Sequence, residues 1–147
     1  MYRTHNLGEL NIKNVGEEVE LSGWIQKIRN LGGMIFIDLR DQFGITQIVI
    51  NDEKLQEQAN GLTTESCIHI CGKVVERSSK NSKMATGEIE VVADKIEILG
   101  KCKNVLPFEV NTDQEVREDL RLEYRFLDLR SQKLHDTILL RSKILKT

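Results

Sequence analysis

The amino-acid sequence predicts an all-β fold, in which five short strands close into a small barrel and one helix lies between the third and fourth strands. Three observations lead to this prediction. The first hundred residues consist of short apolar stretches separated by turn signals, as in all-β proteins. Most of these stretches alternate apolar with polar residues, which is the period of a strand with one buried face. One stretch carries its apolar residues at helical spacing instead.

The first two strands are predicted on either side of a glycine-rich turn at residues 30–33. Residues 18–29 form the first strand, because Val19 and Leu21 alternate with polar neighbours. Gly23 stands in mid-strand and indicates a bulge or bend, a common device for curling a small barrel. The second strand divides into two faces. One face holds Ile35, Ile37 and Leu39, and the other holds Met34, Phe36, Asp38 and Arg40.

The remaining elements complete a recognisable order. A tight turn at residues 41–44 leads into an antiparallel third strand at residues 45–50. Asp52 is a predicted cap for a short helix with one apolar face. The apolar face of this helix holds Leu55, Ala59 and Leu62, the fourth strand covers residues 66–77, and the fifth covers residues 88–99. This is the order of the oligonucleotide/oligosaccharide-binding (OB) fold, a Greek-key barrel, and another five-stranded barrel would give a similar pattern.

The sequence changes character after residue 100. Residues 101–130 contain the single proline, Pro107, and predict a linker or hinge. Residues 132–146 predict a helix, with Leu134, Ile138, Arg141 and Leu145 on one face. The predicted organisation is therefore a barrel domain at residues 1–100, a hinge at residues 101–130 and the start of a further domain at residues 131–147. Because the last helix has no evident cap, we expect the chain to be the N-terminal part of a longer protein.

Composition excludes several classes of protein. No apolar stretch approaches the roughly 18 residues of a membrane span, and the N-terminus lacks a secretory core, so we expect a cytoplasmic protein without a membrane partner. Residues 1–100 hold 11 Lys and Arg against 15 Asp and Glu, which excludes a generic polyanion-binding surface. The three cysteines and three histidines have no metal-ligand spacing. Buried or half-buried thiols and a structural or solvent-facing His69 are therefore predicted.

Catalytic motifs are not evident in the sequence. It contains no glycine-rich phosphate loop, no His-Glu-x-x-His helix and no Gly-x-Ser-x-Gly elbow. We therefore predict that this chain has no catalytic residues, no metal and no cofactor of its own.

The sequence does predict a binding face. In an OB fold, strands 2 and 3 form the ligand face, flanked by the loops that join strands 1–2 and 4–5. Phe36 lies on the face opposite the core row and can stack on an unpaired base. Gln47 can donate to and accept from a base edge, and Glu90 can accept from guanine N1–H and N2–H. Lys27 and Arg29 project to one side, where they can meet phosphates.

Four of these five residues also have a plain structural interpretation. Phe36 can pack beneath the loops as a second minor core, and this alternative has about equal weight. Lys27 and Arg29 can be solvated cations at the end of a strand, and Glu90 can be an ordinary surface carboxylate.

Four motifs in order resemble one family. Residues 21–25 (LSGWI) and 29–33 (RNLGG) resemble the anticodon-binding barrel of class II aminoacyl-tRNA synthetases of the Asp/Asn/Lys group. Three further stretches narrow the resemblance to bacterial-type aspartyl-tRNA synthetases. These are residues 36–41 (FIDLRD) with 44–49 (GITQIV), residues 84–91 (MATGEIEV), and the hinge-like residues 121–130 (RLEYRFLDLR). Where many relatives carry two arginines at the end of that hinge, this chain has Arg130-Ser131.

The resemblance implies a role for each candidate residue. Phe36 would stack on the middle anticodon base, a uridine, and Arg29 and Gln47 would contact that base. Glu90 would read the first base, guanosine or its queuosine derivative, and Asn81 would read the third base, a cytidine. The segment at Lys27 is less basic than the three-arginine run of some relatives, which would weaken backbone contacts.

The resemblance also implies a larger enzyme. The parent would attach aspartate to tRNA-Asp with ATP and magnesium and would form a homodimer through a catalytic domain that this chain lacks. Its partner at this domain would be the tRNA-Asp anticodon stem-loop. Three alternatives remain. The first is the anticodon domain of an asparaginyl- or lysyl-tRNA synthetase, and the second is a general single-strand-binding OB module. A protein-interaction barrel that uses the apolar helix of residues 134–145 is a third.

Overall fold

Five strands close into a barrel in a computed structural model that describes residues 2–103, 105–111 and 114–146. The strands are β1 (Glu18–Leu31), β2 (Met34–Arg40), β3 (Ile45–Ile50), β4 (Cys67–Glu76) and β5 (Ile89–Gly100), and helix α1 (Glu53–Ala59) joins β3 to β4. Their order around the barrel is β1-β2-β3-β5-β4, with β4 pairing back to β1. All pairs are antiparallel except β3–β5, which is parallel. The predicted OB fold, with its helix between the third and fourth strands, is confirmed.

The barrel interior is filled by the apolar rows that the sequence predicts. Each strand contributes residues that expose none of their surface, because successive side chains point alternately inward and outward. These fully buried residues include Leu21, Ile25, Ile37, Leu39, Ile48, Ile50, Ile68, Ile70, Ile89 and Val91. The alternation leaves every second residue of β2 and β3 on the outer face of the barrel.

The turn between β1 and β2 is short and depends on two glycines. Gly32 and Gly33 both adopt positive φ angles, of 59° and 89°. Two consecutive positive φ values give a tight hairpin whose twist matches that of its strands. Gln56 of helix α1 donates to Gly33 O at 2.6 Å and holds this turn beside the ligand face.

The first strand has a bulge, but it does not fall at Gly23. The register of β1 shifts between Ile25 and Lys27, whereas Gly23 pairs regularly with Ile68. Gly23 is needed for a different reason: a Cβ atom there would lie 2.4 Å from the carbonyl oxygen of Arg40. It permits a close backbone approach at the place where β1 passes from β4 to β2.

The N-terminal segment packs against the barrel, which the strand pattern does not predict. Leu7 and Leu10 expose at most 1% of their surface. The backbone N–H of Leu7 donates to Asp41 Oδ2 at 3.0 Å, and Thr46 Oγ1 donates to Leu7 O at 2.6 Å. The turn between β2 and β3 therefore anchors this segment.

The chain divides into two compact units, Met1–Lys103 and Asn104–Thr147. The second unit contains helices α2 (Glu118–Glu123), α3 (Arg125–Asp128) and α4 (Gln132–Leu145). The helix predicted over residues 132–146 is present as α4, and none of its residues is buried. The prediction of a linker did not foresee α2 and α3. They are held by the buried Asp128, whose carboxylate accepts from Arg121 and Arg125 at 2.9 Å each.

Cysteine and histidine side chains take structural positions. Cys67, Cys71 and Cys102 have intermediate exposure, as predicted. Burial and the nearby Glu20 carboxylate raise the pKa of the Cys71 thiol, which disfavours the reactive thiolate. His69 is buried, and its Nδ1 lies 3.1 Å from Ser22 Oγ and 3.0 Å from Tyr2 O. Across the described ranges, no helix is long and apolar enough to cross a membrane.

Candidate nucleic-acid interface

A pocket of about 410 Å³ opens on the outer face of β2 and β3. It lies between the β1–β2 turn and the loop that joins β4 to β5. Its walls are formed by Arg29, Leu31, Met34, Phe36, Gln47, Val49, Arg77, Ser78, Ser79 and Glu90. Four of the six residues predicted as binding residues, namely Arg29, Phe36, Gln47 and Glu90, therefore line one pocket.

Phe36 provides an aromatic surface in this pocket. It is half-buried and alternates with the core residues Ile35 and Ile37, as its position on the outer face of β2 requires. Its neighbours across the sheet are Arg29 on β1 and Val49 on β3. The ring is thus supported from both sides by adjacent strands, while it remains partly open to the pocket.

A chain of polar contacts runs along one side of the pocket. Arg29 Nη2 donates to Asp38 Oδ1 at 2.6 Å and to Gln47 Oε1 at 3.3 Å. Gln47 Nε2 in turn donates to Glu90 Oε2 at 2.8 Å. The network joins β1, β2, β3 and β5, because Asp38 and Gln47 are partners in the β2–β3 register and β5 runs parallel to β3.

Some polar atoms in this pocket retain bonding capacity. Arg29 Nε and Arg77 Nη1 are buried and have no hydrogen-bond partner among the described residues. Buried donors of this kind cost free energy unless an acceptor satisfies them. Glu90 uses Oε2 for Gln47, so its second carboxylate oxygen can accept from a ligand. The pocket combines an aromatic face with fixed donors and acceptors, which is the chemistry that recognises an unstacked base.

The other two predicted residues lie outside the pocket walls. Lys27 is exposed on β1, opposite Asp38 in the strand register. Asn81 belongs to the loop that joins β4 to β5, where its Oδ1 accepts from the backbone N–H of Lys83 at 3.1 Å. Its own backbone N–H donates to Gly87 O at 2.9 Å. These contacts show Asn81 shaping its loop.

Several residues that line the pocket were not predicted from the sequence. Leu31, Met34 and Val49 extend the apolar surface around Phe36, and Arg77 with the two following serines forms the opposite wall. Period-two alternation places Met34 and Val49 on the outer face with Phe36. Arg77 directly follows β4, and its backbone N–H donates to Glu88 O at 2.9 Å. Its place at the pocket depends on the pairing of β4 with β5, which the alternation pattern does not describe.

A second and larger cavity, of about 940 Å³, lies within the second unit. Its walls include Arg117, Arg121, Asp128 and Lys133. It contains none of the residues predicted for binding, and Asp128 is already paired with two arginines. The barrel pocket is therefore the candidate interface.

A closed five-stranded barrel with this pocket beside its second and third strands defines an oligonucleotide-binding domain. The chain belongs to the tRNA anti-codon family of OB-fold nucleic acid binding domains, which matches residues 19–99.

Curated relatives narrow this assignment. The chain is 52% identical to an aspartate–tRNA ligase of Mesoplasma florum and 51% identical to an aspartate–tRNA(Asp/Asn) ligase of Rickettsia canadensis. Each match covers 98% of this chain but only 25% and 24% of the respective relative. The chain thus spans about a quarter of the length of the relatives it matches. The resemblance of its motifs to aspartyl-tRNA synthetases is confirmed.

Solved structures support the fold. Asparaginyl-tRNA synthetase of Pyrococcus horikoshii aligns with a TM-score of 0.77 at 27% identity, covering 99% of this chain and 35% of that one. Aspartyl-tRNA synthetase of Entamoeba histolytica aligns with a TM-score of 0.79 at 19% identity, covering 88% of this chain and 33% of that one. The second likeness is informative about fold alone.

Proposed function

We propose that this chain binds the anticodon loop of tRNA-Asp through the barrel pocket, as the N-terminal domain of an aspartate–tRNA ligase. The observation that carries the proposal is the convergence of Phe36, Arg29, Gln47 and Glu90 on one pocket of about 410 Å³. An aromatic ring beside an amide, a guanidinium and a carboxylate offers stacking and base-edge hydrogen bonds together. The barrel region carries more acidic than basic residues, so affinity depends on these placed contacts more than on counterion release.

Each side chain has a proposed role at one anticodon base. Phe36 stacks on the middle base, a uracil, whose edge meets Gln47 and Arg29. Glu90 accepts from N1–H and N2–H of guanine at the first position, using its free oxygen. Lys27 contacts the phosphate backbone at the pocket rim. Asn81 is the proposed reader of the third base, cytosine, from its loop.

The relatives are aspartate–tRNA ligases, which supports a proposal about the whole protein. We propose that it attaches aspartate to tRNA-Asp, using ATP and magnesium in a catalytic domain beyond this chain. Homodimer formation through that domain is part of the same proposal. This chain alone then has no ligase activity and binds the anticodon stem-loop weakly, because contacts to the acceptor end are missing.

The test is binding of anticodon stem-loops to this chain at low salt. Loops with GUC, GAC and GUU anticodons are compared by fluorescence anisotropy. Tighter binding of GUC than of GAC, by about 1–3 kcal/mol, is expected from loss of the middle-base contacts. Equal binding of GUC and GUU would place this protein with ligases that serve both tRNA-Asp and tRNA-Asn.

The alternatives predict different results. A general single-strand-binding module would bind all three loops alike, with a steep salt dependence. The anticodon domain of an asparaginyl-tRNA synthetase would prefer GUU to GUC. Either outcome would overturn the assignment to tRNA-Asp.

A further inference from the structure

Gln47 is held between a cation and an anion. Its Oε1 accepts from Arg29 Nη2 at 3.3 Å, and its Nε2 donates to Glu90 Oε2 at 2.8 Å. A guanidinium can only donate and an ionised carboxylate can only accept, so the two ends of the amide are not interchangeable here. Gln47 as a whole exposes only 4% of its surface, which restricts rotation of its side chain.

The position of Arg29 depends on Asp38. Arg29 Nη2 lies 2.6 Å from Asp38 Oδ1, the shorter of its two contacts, and the carboxylate side chain is only 17% exposed. Asp38 is the partner of Gln47 in the β2–β3 register, so it is fixed beside the amide by the sheet itself. It does not line the pocket. Without this carboxylate, the guanidinium of Arg29 loses its strongest anchor next to Gln47.

We infer that Asp38 is a positioning residue: by anchoring Arg29 it acts together with Glu90 to fix the polarity of the Gln47 amide, and it thereby helps the pocket to select uracil over cytosine at the middle anticodon base. The inference rests on the proposed function. Each bond to Gln47 uses one of two lone pairs and one of two N–H groups, so one acceptor and one donor remain. Their order along the pocket is set by Arg29 on one side and Glu90 on the other.

Uracil and cytosine have nearly the same shape but opposite polarity on their pairing edges. Uracil presents the N3–H donor and the O4 acceptor, whereas cytosine presents the N3 acceptor and the N4 donor. An amide of fixed polarity matches one of them and opposes the other. An amide that is free to turn by half a revolution matches both, since its oxygen and nitrogen ends have similar size.

The test compares stem-loops with GUC and GCC anticodons on the same protein samples. The ratio of the two dissociation constants does not depend on the folded fraction, so partial unfolding of a variant cannot mimic the effect. The unchanged chain is expected to prefer GUC by about ten-fold or more, the size of a good base-edge contact. Asp38→Asn keeps the size of the side chain, removes its charge, and is expected to reduce the preference to about two-fold.

Two variants serve as matched controls. Asp94→Asn makes the same change at an exposed position of β5 and is expected to leave the ratio unchanged. Asp38→Glu keeps the carboxylate and is expected to retain most of the preference. In a Gln47→Ala background, Asp38→Asn is expected to have no further effect on the ratio, because its action passes through the amide.

The outcomes separate this inference from the proposed function. If Asp38→Asn retains the full preference for GUC over GCC, or still lowers it in the Gln47→Ala background, the positioning role of Asp38 is wrong. If the unchanged chain binds GUC and GAC alike, the proposed function itself fails, whatever Asp38 does.

Discussion

Gln47 Nε2 donates to Glu90 Oε2 at 2.8 Å, although the two residues lie 43 positions apart in the chain. The contact joins β3 and β5, the one parallel pair of the described barrel. Under the proposed function it links the residues that read the middle and first anticodon bases. A change at either residue is therefore expected to affect recognition of both bases.

Replacing Glu90 by Gln is expected to weaken recognition of guanine at the first anticodon position. The variant loses the charge of an acceptor that can take two guanine N–H groups, and hydrogen bonds to charged groups contribute about 1.5–3 kcal/mol. The measurement is the affinity for GUC and AUC loops. Glu97→Gln, on an exposed site of the same strand, is the control and should bind both loops like the unchanged chain. An unchanged preference for GUC in the Glu90 variant would remove this residue from base recognition.

Replacing Phe36 by Leu is expected to weaken binding of the GUC loop by about 1–3 kcal/mol through lost stacking. Because Phe36 is half-buried on the outer face, the thermal midpoint of the barrel should change little. Phe43→Leu is the matched control, since Phe43 is 54% exposed at the β2–β3 turn, away from the pocket walls. A large fall in thermal midpoint with unchanged binding would instead support the minor-core interpretation of Phe36.

Replacing Lys27 by Ala is expected to weaken binding to GUC and GAC loops equally. A phosphate contact carries no base information, and its loss lowers the salt slope of log K by about 0.7–1. The measurement is affinity across a series of salt concentrations. Lys73→Ala, at an exposed position of β4, should leave the slope unchanged. A changed ratio between the two loops would show that Lys27 contacts a base.

Replacing Arg40 by Leu is expected to destabilise the barrel by about 3–5 kcal/mol, measured by urea unfolding. Arg40 Nη2 lies 2.8 Å from Glu65 Oε1, and both side chains are at most 6% exposed, so the variant leaves a buried carboxylate without its arginine. Lys80→Met breaks the exposed pair with Glu76 and should leave the free energy of unfolding unchanged. Equal urea midpoints for the Arg40 variant and the unchanged chain would contradict this account of the buried pair.

The barrel strands could be predicted because each strand is encoded by the alternation of apolar and polar residues within its own short segment. The β3 prediction coincides with Ile45–Ile50, and the inward row of β2 follows directly from the alternation of isoleucines. The same alternation identified Phe36 as an outer-face residue. Pattern alone could not establish that Gln47 meets Glu90, because that contact depends on barrel closure between distant strands.

Other features of the structure could not be predicted from the sequence, because they depend on how distant segments pack together. The N-terminal segment carries no periodic pattern, and Leu7 is placed by Asp41 in the β2–β3 turn and by Thr46 on β3. The alternation of β2 places Asp38 on the face that holds Phe36, but it does not show that Asp38 contacts Arg29. Arg77 lines the pocket because β4 pairs with β5, and α2 and α3 are organised by the ion pairs of Asp128. All of these depend on long-range contacts or loop geometry.

The central claim is that the barrel pocket holds the anticodon, and an NMR titration tests it most directly. The ¹⁵N-labelled chain is titrated with a GUC stem-loop, and shifts of backbone and side-chain amides are followed. We predict the largest changes at the backbone amides of Phe36 and Glu90 and at the side-chain amide of Gln47, with α4 unaffected. The assignment of the pocket as the anticodon site would be contradicted if the pocket amides did not shift and the changes were centred around Ser22 and His69 or on α4.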